Sequence, residues 1–417
     1  MGRSFIIHNA TTKIQVPFFR ADLNAQEVEE VVATLRSGWL TSGPKVRSFE
    51  QLFAAAVGAP YAVAVNSCTA ALHLAVEALG LKAGQAVLVP TMTFAATAEV
   101  VRYLGATPIL VDCDPLTGNM DLNDAERKVN QLKSEALSDT LTKNLKVVGI
   151  IPVHVGGLMM NIEALQSFST AHGLWTIEDA AHAFPAAWRK SSEEPWQRCG
   201  EGTAAVSCFS FYANKTITTG EGGMAVTHDS GLAERMRLMS LHGLSHDAWE
   251  RYSGGGSWDY RIIAPGYKYN LTDIAAGIGI HQLARAEQMR CDREDIARRY
   301  LEALGNVEEV ELPTEDRNRI HSWHLFPIRL RLERLRISRN EFIDKLKQND
   351  VGCSVHWRPL HLHPYYQDAF HWRPEDFPVA TALWERLVSL PLFPGMRDDE
   401  LGHVTQTVRR LCAQYAR

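Results

Sequence analysis

The sequence predicts an α/β fold, with a large domain on a mostly parallel sheet followed by a smaller α+β domain. Three observations carry this. Between about residues 60 and 228, short apolar runs alternate with helix-period segments, as expected of strands buried on both faces of a parallel sheet. After residue 270 a long helical pattern takes over, followed by scattered strand candidates and more helices. The chain has 417 residues, enough for about two to three units of roughly 150 residues.

The elements follow in order. Residues 61–65 (YAVAV) read as a strand, and 69–79 (TAALHLAVEAL) as a helix closed by Gly80, a common C-terminal signal. A strand at 86–89 ends at Pro90, and a helix at 95–104 ends at Gly105. Strands are expected at 107–112 and 147–153, a helix at 162–172, and strands at 174–177, 206–211 and 223–227. The glycines at 254–256 sit in a polar stretch, SHDAWERYSGGGSWDY, that reads as a loop. One helix is expected over 271–304, strands at 324–330 and 352–357, and helices near 339–348, 379–388 and 398–415. This divides the chain into an N-terminal arm with the large domain (1–264) and the small domain (265–417).

Composition narrows the function. The chain is 46% hydrophobic and 22% charged, which is ordinary for a globular protein. Its net charge of −5 offers no basic surface for nucleic acid. No apolar run approaches the roughly 18 residues of a membrane span, and the N-terminal apolar run is too short for a signal peptide. The Met-Gly start lacks the Ser or Thr of a myristoylation signal, since Ile6 occupies that position. The seven cysteines, Cys68, Cys113, Cys199, Cys208, Cys291, Cys353 and Cys412, form no C-x-x-C pair. A zinc ribbon or disulfide framework is a poor reading, and a cytoplasmic protein with reduced thiols is expected.

Ligands of open parallel sheets bind beyond the carboxyl ends of the strands. After YAVAV come Asn66, Ser67, Cys68 and Thr69, running into a helix. Small hydroxyl residues there suit an anion, or a plain helix cap. After 174–177 come Glu178, Asp179 and His182. The acid there could cap a helix, bind a metal with His182, or face a cationic ring nitrogen, although further metal ligands are not evident. After 206–211 comes Lys215, ahead of a glycine-rich turn. Most lysines are solvated, but one desolvated in a cleft becomes a nucleophile. Together, a phosphate cradle, an acid and a buried lysine are the parts of a pyridoxal 5'-phosphate site.

The run SFYANKTITTGEGG, with IEDAAHA upstream and GYKYNLTDIAAGIG downstream, resembles the DegT-type (DegT/StrS) pyridoxal phosphate-dependent nucleotide-sugar aminotransferases. GWLTSGP (38–44), NSCTAALHLA (66–75), VPTMTFAATA (89–98), VHWRPLH (355–361) and SLPLFPGM (389–396) extend the likeness, in order, over nearly the whole chain. The resemblance implies the aspartate aminotransferase-like fold, fold type I of pyridoxal phosphate-dependent transferases, and a homodimer with shared active sites. It implies Lys215 as the lysine that binds the cofactor aldehyde, Asp179 as partner of the ring nitrogen, and His182 beside the ring hydroxyl. Phe94 would stack on the ring, and Cys68 (by its backbone), Thr69 and Ser210 would bind the phosphate. Asn270 would reach the phosphate of the partner subunit. Cys68 stands where the family more often has Gly or Ala, which brings a thiol close to the phosphate turn.

The implied reaction is transamination, from L-glutamate to a nucleotide-linked keto sugar, with C4 favoured over C3 by GWLTSGP and GYKYNLTDI. Thr41, within 38–44, and His356, Arg358 and His361 would line the sugar and diphosphate pocket, with Trp357 and Pro359 read as packing. Arg251, Tyr252, Trp258 and Tyr260, around the 254–256 loop, would meet the base or the dimer interface. Two alternatives share the fold. A sugar dehydratase or epimerase is one, although dehydrating relatives carry histidine where Lys215 stands. A non-catalytic cofactor-binding regulator is the other, and it would want an added DNA-binding or partner domain. Neither nucleic acid nor membrane is an expected partner.

Overall fold

The structure, a computed structural model, describes residues 14–133, 145–245 and 260–417. Strands β1 (Tyr61–Val65), β2 (Gln85–Pro90), β3 (Thr107–Val111), β4 (Lys146–Ile150) and β5 (Trp175–Asp179) come first. The short β6 (Ala187–Trp188) and β7 (Gln197–Arg198) follow, then β8 (Val206–Ser210) and β9 (Gly223–Thr227). The C-terminal part adds β10 (Val310–Glu311), β11 (Arg319–Ile320), β12 (Phe326–Leu330) and β13 (Leu387–Leu390).

The main sheet has seven strands in the order β1-β9-β8-β5-β4-β2-β3. The β3-β2-β4-β5-β8 block is parallel, while β9 runs antiparallel to both β8 and β1. Side chains alternate across the sheet, so each strand feeds two cores. Ala62, Leu88, Ile150 and Phe209 pack on one face, with Phe53 above them. Val63, Val87, Ile177 and Cys208 pack on the other, with Leu72 and Leu74. This double burial explains the continuous apolar runs in the sequence.

A second sheet, β10-β12-β13, carries its own core of Ile296, Tyr300, Phe326, Leu330, Phe342, Val388 and Val408, joined by Val16 from the N-terminal arm. Residues from Leu271 to Met289 still pack on the large sheet's core, and the small sheet's core takes over from Ile296. Among the described residues, no helix is long and apolar enough to cross a membrane.

Two expected elements differ. The helix expected over 271–304 is two helices, Asp273–Ala284 and Ala286–Leu304, because Arg285 leaves helical geometry (φ −106°, ψ 3°) and turns its guanidinium to Asp22 and Glu27. The strand expected over 352–357 is irregular. Its neighbours are divided, with Val351 bridging Val16 and Ser354 bridging Ser389. Gly352 lies so close to the arm that a Cβ there would sit 2.5 Å from the Phe18 nitrogen. The helices Ala25–Ser37, Pro44–Val57, Leu122–Lys133 and Ser230–Ser240 were not expected from the pattern. Several carry their apolar residues outward: Val28, Leu35 and Leu52 are exposed.

Candidate active site

The carboxyl ends of β1, β5 and β8 open into one cavity of about 530 Å³. Ser67, Cys68 and Thr69 form one wall, Asp179 and His182 another, and Ser210 and Lys215 a third, with Phe94, His324, His356 and Trp357 around them. Seven expected cofactor residues therefore converge: Cys68, Thr69, Phe94, Asp179, His182, Ser210 and Lys215.

The turn after β1 ends at Ser67, whose hydroxyl accepts the N–H of Ala70 at 3.1 Å and caps the helix Cys68–Ala78. The N–H groups of Cys68 and Thr69 have no carbonyl four residues earlier within the helix and lie at its positive end. The Cys68 thiol does not crowd them, since Sγ turns to the Cys208 carbonyl at 3.6 Å. Across the turn, Gly223 opens β9. A Cβ there would fall 2.4 Å from the Ser67 carbonyl carbon and 2.6 Å from the Cys68 nitrogen, so only glycine leaves the cradle undisturbed.

Asp179 ends β5 and is buried. Its Oδ2 accepts the Thr97 hydroxyl at 2.7 Å, and its Oδ1 accepts the Ala181 N–H at 3.2 Å. Burial pushes its carboxyl above the usual range, while these donors and the Lys215 charge hold it back. Glu178, one residue earlier, faces the other side of β5. Its Oε2 accepts Thr203 and Ser207 at 2.8 and 2.6 Å, and its Oε1 lies 3.4 Å from His154 Nε2. Glu178 and Asp179 thus do not converge on one ligand.

Lys215 follows β8 in a loop closed by Phe211, whose N–H meets Gly222 O and whose carbonyl accepts Thr219 N. Burial lowers its amine to about 8, opposed by Cys68 and Asp179. Nζ lies 3.4 Å from His324 Nε2. His182 accepts the Gly156 N–H on Nδ1 at 3.3 Å, which puts its proton on Nε2. Its ring stacks on Trp357 (4.9 Å, 19°) and lies 4.1 Å from His324. Burial pushes the His182 and His324 rings well below their usual range and His356 to about 4, so the three are neutral at neutral pH.

The other expected contacts fall elsewhere. His361 is not at the cavity. It is fully buried, with Nδ1 2.7 Å from Thr91 Oγ1, Nε2 2.9 Å from Thr381 Oγ1, and its ring stacked on Phe377. Both ring nitrogens are engaged, so it acts as a packing residue. Arg358 is exposed and turned away, with Nε on Leu362 O at 3.0 Å and its guanidinium over Trp384. Thr41 is exposed, and its carbonyl accepts Asp273 N at 3.2 Å. Asn270 bridges Val65 and donates to Ser42 Oγ at 2.8 Å, off its own chain's cavity wall. His356 lines the cavity, with Nδ1 2.9 Å from Ser389 Oγ. Tyr260 is exposed; Arg251, Tyr252, 254–256 and Trp258 lie outside the described residues. Thr97, His324 and Trp357 enter the site without having been singled out for it. The one signal for Thr97 was its spacing of four from Thr93, whose hydroxyl it meets at 2.7 Å.

These residues fit pyridoxal phosphate. A glycine-backed helix terminus suits the phosphate, a buried acid with remaining lone pairs suits the ring nitrogen, and a desolvated amine suits the aldehyde.

Comparisons agree. The family model for the DegT/DnrJ/EryC1/StrS aminotransferases matches residues 21–409. The chain is 41% identical over 400 residues to MJ1066 of Methanocaldococcus jannaschii, covering 96% of this chain and 98% of that protein. It is 41% identical over 395 residues to the spore coat polysaccharide biosynthesis protein SpsC of Bacillus subtilis, covering 94% and 96%. Among solved structures, Spr1654 of Streptococcus pneumoniae in its PLP form superposes with a TM-score of 0.84 at 29% identity, over 96% of this chain and 99% of that one. The sugar aminotransferase CalS13 of Micromonospora echinospora gives 0.79 at 27%, over 95% and 99%.

Proposed function

This chain belongs to the DegT/DnrJ/EryC1/StrS aminotransferase family, and from that premise we propose that it moves an amino group from L-glutamate to C4 of a nucleotide-linked keto sugar. It is a pyridoxal phosphate-dependent sugar aminotransferase of fold type I. The donor, the nucleotide linkage and the choice of C4 are our reading, as are a cytoplasmic homodimer with shared sites and the residue roles below. The likeness to SpsC supports a product that enters a polysaccharide. Exposure of Phe94 and Tyr212, which line the cavity, supports a second copy over its mouth. Asn270, off its own cavity wall, suits a reach into that copy.

The observation that carries the reading is the meeting of half-buried Lys215 and buried Asp179 in one cavity beside a helix N-terminus. Pyridoxal phosphate supplies an aldehyde and an electron-withdrawing ring when bound. Lys215 Nζ would hold the aldehyde until the donor displaces it. Its freed amine would take the proton from the donor's α-carbon and deliver it to the former aldehyde carbon of the cofactor. An amine lowered to about 8 serves as both base and acid near neutral pH. Asp179 keeps a proton on the ring nitrogen, with Thr97 fixing its second oxygen. The Cys68 and Thr69 N–H groups and the Ser210 hydroxyl would hold the phosphate, with Phe94 on the ring and His182 toward the ring hydroxyl. His356 remains the expected sugar-side residue that lines the cavity.

The test is the visible spectrum of the purified protein before and after L-glutamate, followed by 4-keto and 3-keto nucleotide sugars. A yellow protein that bleaches with L-glutamate and recovers with a 4-keto sugar is the expected result. A protein that takes up no pyridoxal phosphate overturns the site, and recovery with 3-keto sugars alone overturns C4.

A further inference from the structure

We infer that Arg293 is a positioning residue for Lys215, acting through His324. The inference rests on the reading above, in which Lys215 carries the proton.

Arg293 projects from the helix Ala286–Leu304 and is 2% exposed. None of the ion pairs among the described residues includes it. Nη1 instead donates to three carbonyls: Leu392 at 2.9 Å, Trp323 at 3.3 Å and His324 at 3.5 Å. Its Nε is buried with no acceptor. A buried guanidinium without a carboxylate is costly, so its placement here calls for a task beyond packing.

What it grips is the turn that leads into β12. Trp323 takes φ 48° there, in the left-handed region that bulky residues avoid. Its N–H is tied to His321 Nδ1 at 2.8 Å, and its indole stacks on the His321 ring (4.0 Å, 4°). The next residue, His324, presents Nε2 to Lys215 Nζ at 3.4 Å. The far ring nitrogen, Nδ1, is buried with no partner. No hydrogen bond on that side steers the ring, so its direction follows from the backbone that Arg293 holds. Tyr300, two turns along the same helix, donates to Pro391 O at 2.9 Å and fixes the third gripped segment. Arg293 therefore joins the lysine's neighbour, the β12 approach and the β13 exit on one side chain.

Its charge acts as well. The groups facing Lys215 are Cys68 from the phosphate helix, Asp179 from β5, His182 and His324, His356, and Arg293 itself. Asp179 is the one acid among them, and the histidines are neutral. Arg293 favours the free amine of Lys215, in the same direction as burial.

Two variants separate grip from charge. Arg293→Met removes both, while Arg293→Lys keeps the charge but cannot span three carbonyls. Apo-protein is mixed with pyridoxal phosphate over a pH series and reduced with borohydride, and the labelled lysine is located by mass spectrometry. Wild type should label Lys215, with capture rising through about pH 8. Arg293→Met should move that midpoint up, and Arg293→Lys should leave it in place. Bleaching by L-glutamate should then slow by about tenfold or more in Arg293→Lys. The same change made in a His324→Ala background should add little, because coupled residues are not additive. An unshifted midpoint in Arg293→Met, or equal slowing by Arg293→Lys in both backgrounds, overturns the inference while the site reading stands. Wild type that does not label Lys215 overturns the site reading, and the inference with it. If Arg293→Met does not fold, the coupling between Arg293→Lys and His324→Ala decides.

Discussion

Replacing Thr97 by valine keeps the shape of a fully buried side chain and removes one hydroxyl. That hydroxyl receives Thr93 Oγ1 at 2.7 Å and donates to Asp179 Oδ2 at 2.7 Å, so the pair forms a short relay ending on the acid. A hydrogen bond to a buried charged group contributes about 1.5–3 kcal/mol. Its loss raises the Asp179 carboxyl further, in the direction burial already pushes it. A carboxyl raised in the folded state destabilises the protein when ionised. The apo variant should therefore be less stable than wild type at neutral pH, and the gap should close as pH falls below the folded value. A more basic carboxyl there competes with the ring nitrogen for its proton, so bleaching by L-glutamate should slow by roughly 10- to 150-fold. Stopped-flow absorbance measures this directly, and Thr97→Ser should recover most of the rate. A valine variant that bleaches at the wild-type rate, or a serine variant no better than valine, would refute the relay.

Four other outcomes are expected. Lys215→Ala should show no steady-state transamination and no borohydride-trapped cofactor, whereas appreciable turnover would remove Lys215 from its role. Wild-type bleaching by L-glutamate should rise with pH through about 8, because burial brings the free Lys215 amine in well below the usual 10.5; a profile without that rise would contradict the desolvated amine. Gly223→Ala should weaken pyridoxal phosphate binding by roughly 5- to 150-fold in an absorbance titration, from about 1–3 kcal/mol of overpacking against the backbone of Ser67 and Cys68. His361→Ala should lower thermal stability by about 2–4 kcal/mol through its two hydrogen bonds and Phe377 stack. The KM for the sugar should stay unchanged, and a raised KM would return His361 to the substrate pocket.

The reading from sequence succeeded where chemistry is local. Lys215, Asp179 and the Ser67–Thr69 turn each lie at or within a few residues past a strand's end, and their motifs fit within a dozen residues. The same reading went astray at 352–357, where pairing is divided between Val16 and Ser389, partners distant in the chain. It passed over helices such as Ala25–Ser37, whose outward apolar residues Val28 and Leu35 blur the one-faced pattern that marks a surface helix.

Histidines show the division most clearly. His182, His324, His356 and His361 are alike in the sequence, and His356 and His361 share one motif. Packing separates them. Thr91 and Thr381 engage both nitrogens of His361, while His324 keeps one nitrogen for Lys215. Arg293 looks like one more charge in REDIARRY, until folding removes water from it and, among the described residues, pairs it with no acid. The sequence by itself determined the α/β class, the strand ends and the lysine-acid-cradle set, because period, caps and short motifs are encoded within a few residues. Only the tertiary structure decided which polar side chains face the cavity and which are satisfied away from it, because burial and hydrogen-bond partners depend on segments up to hundreds of residues apart.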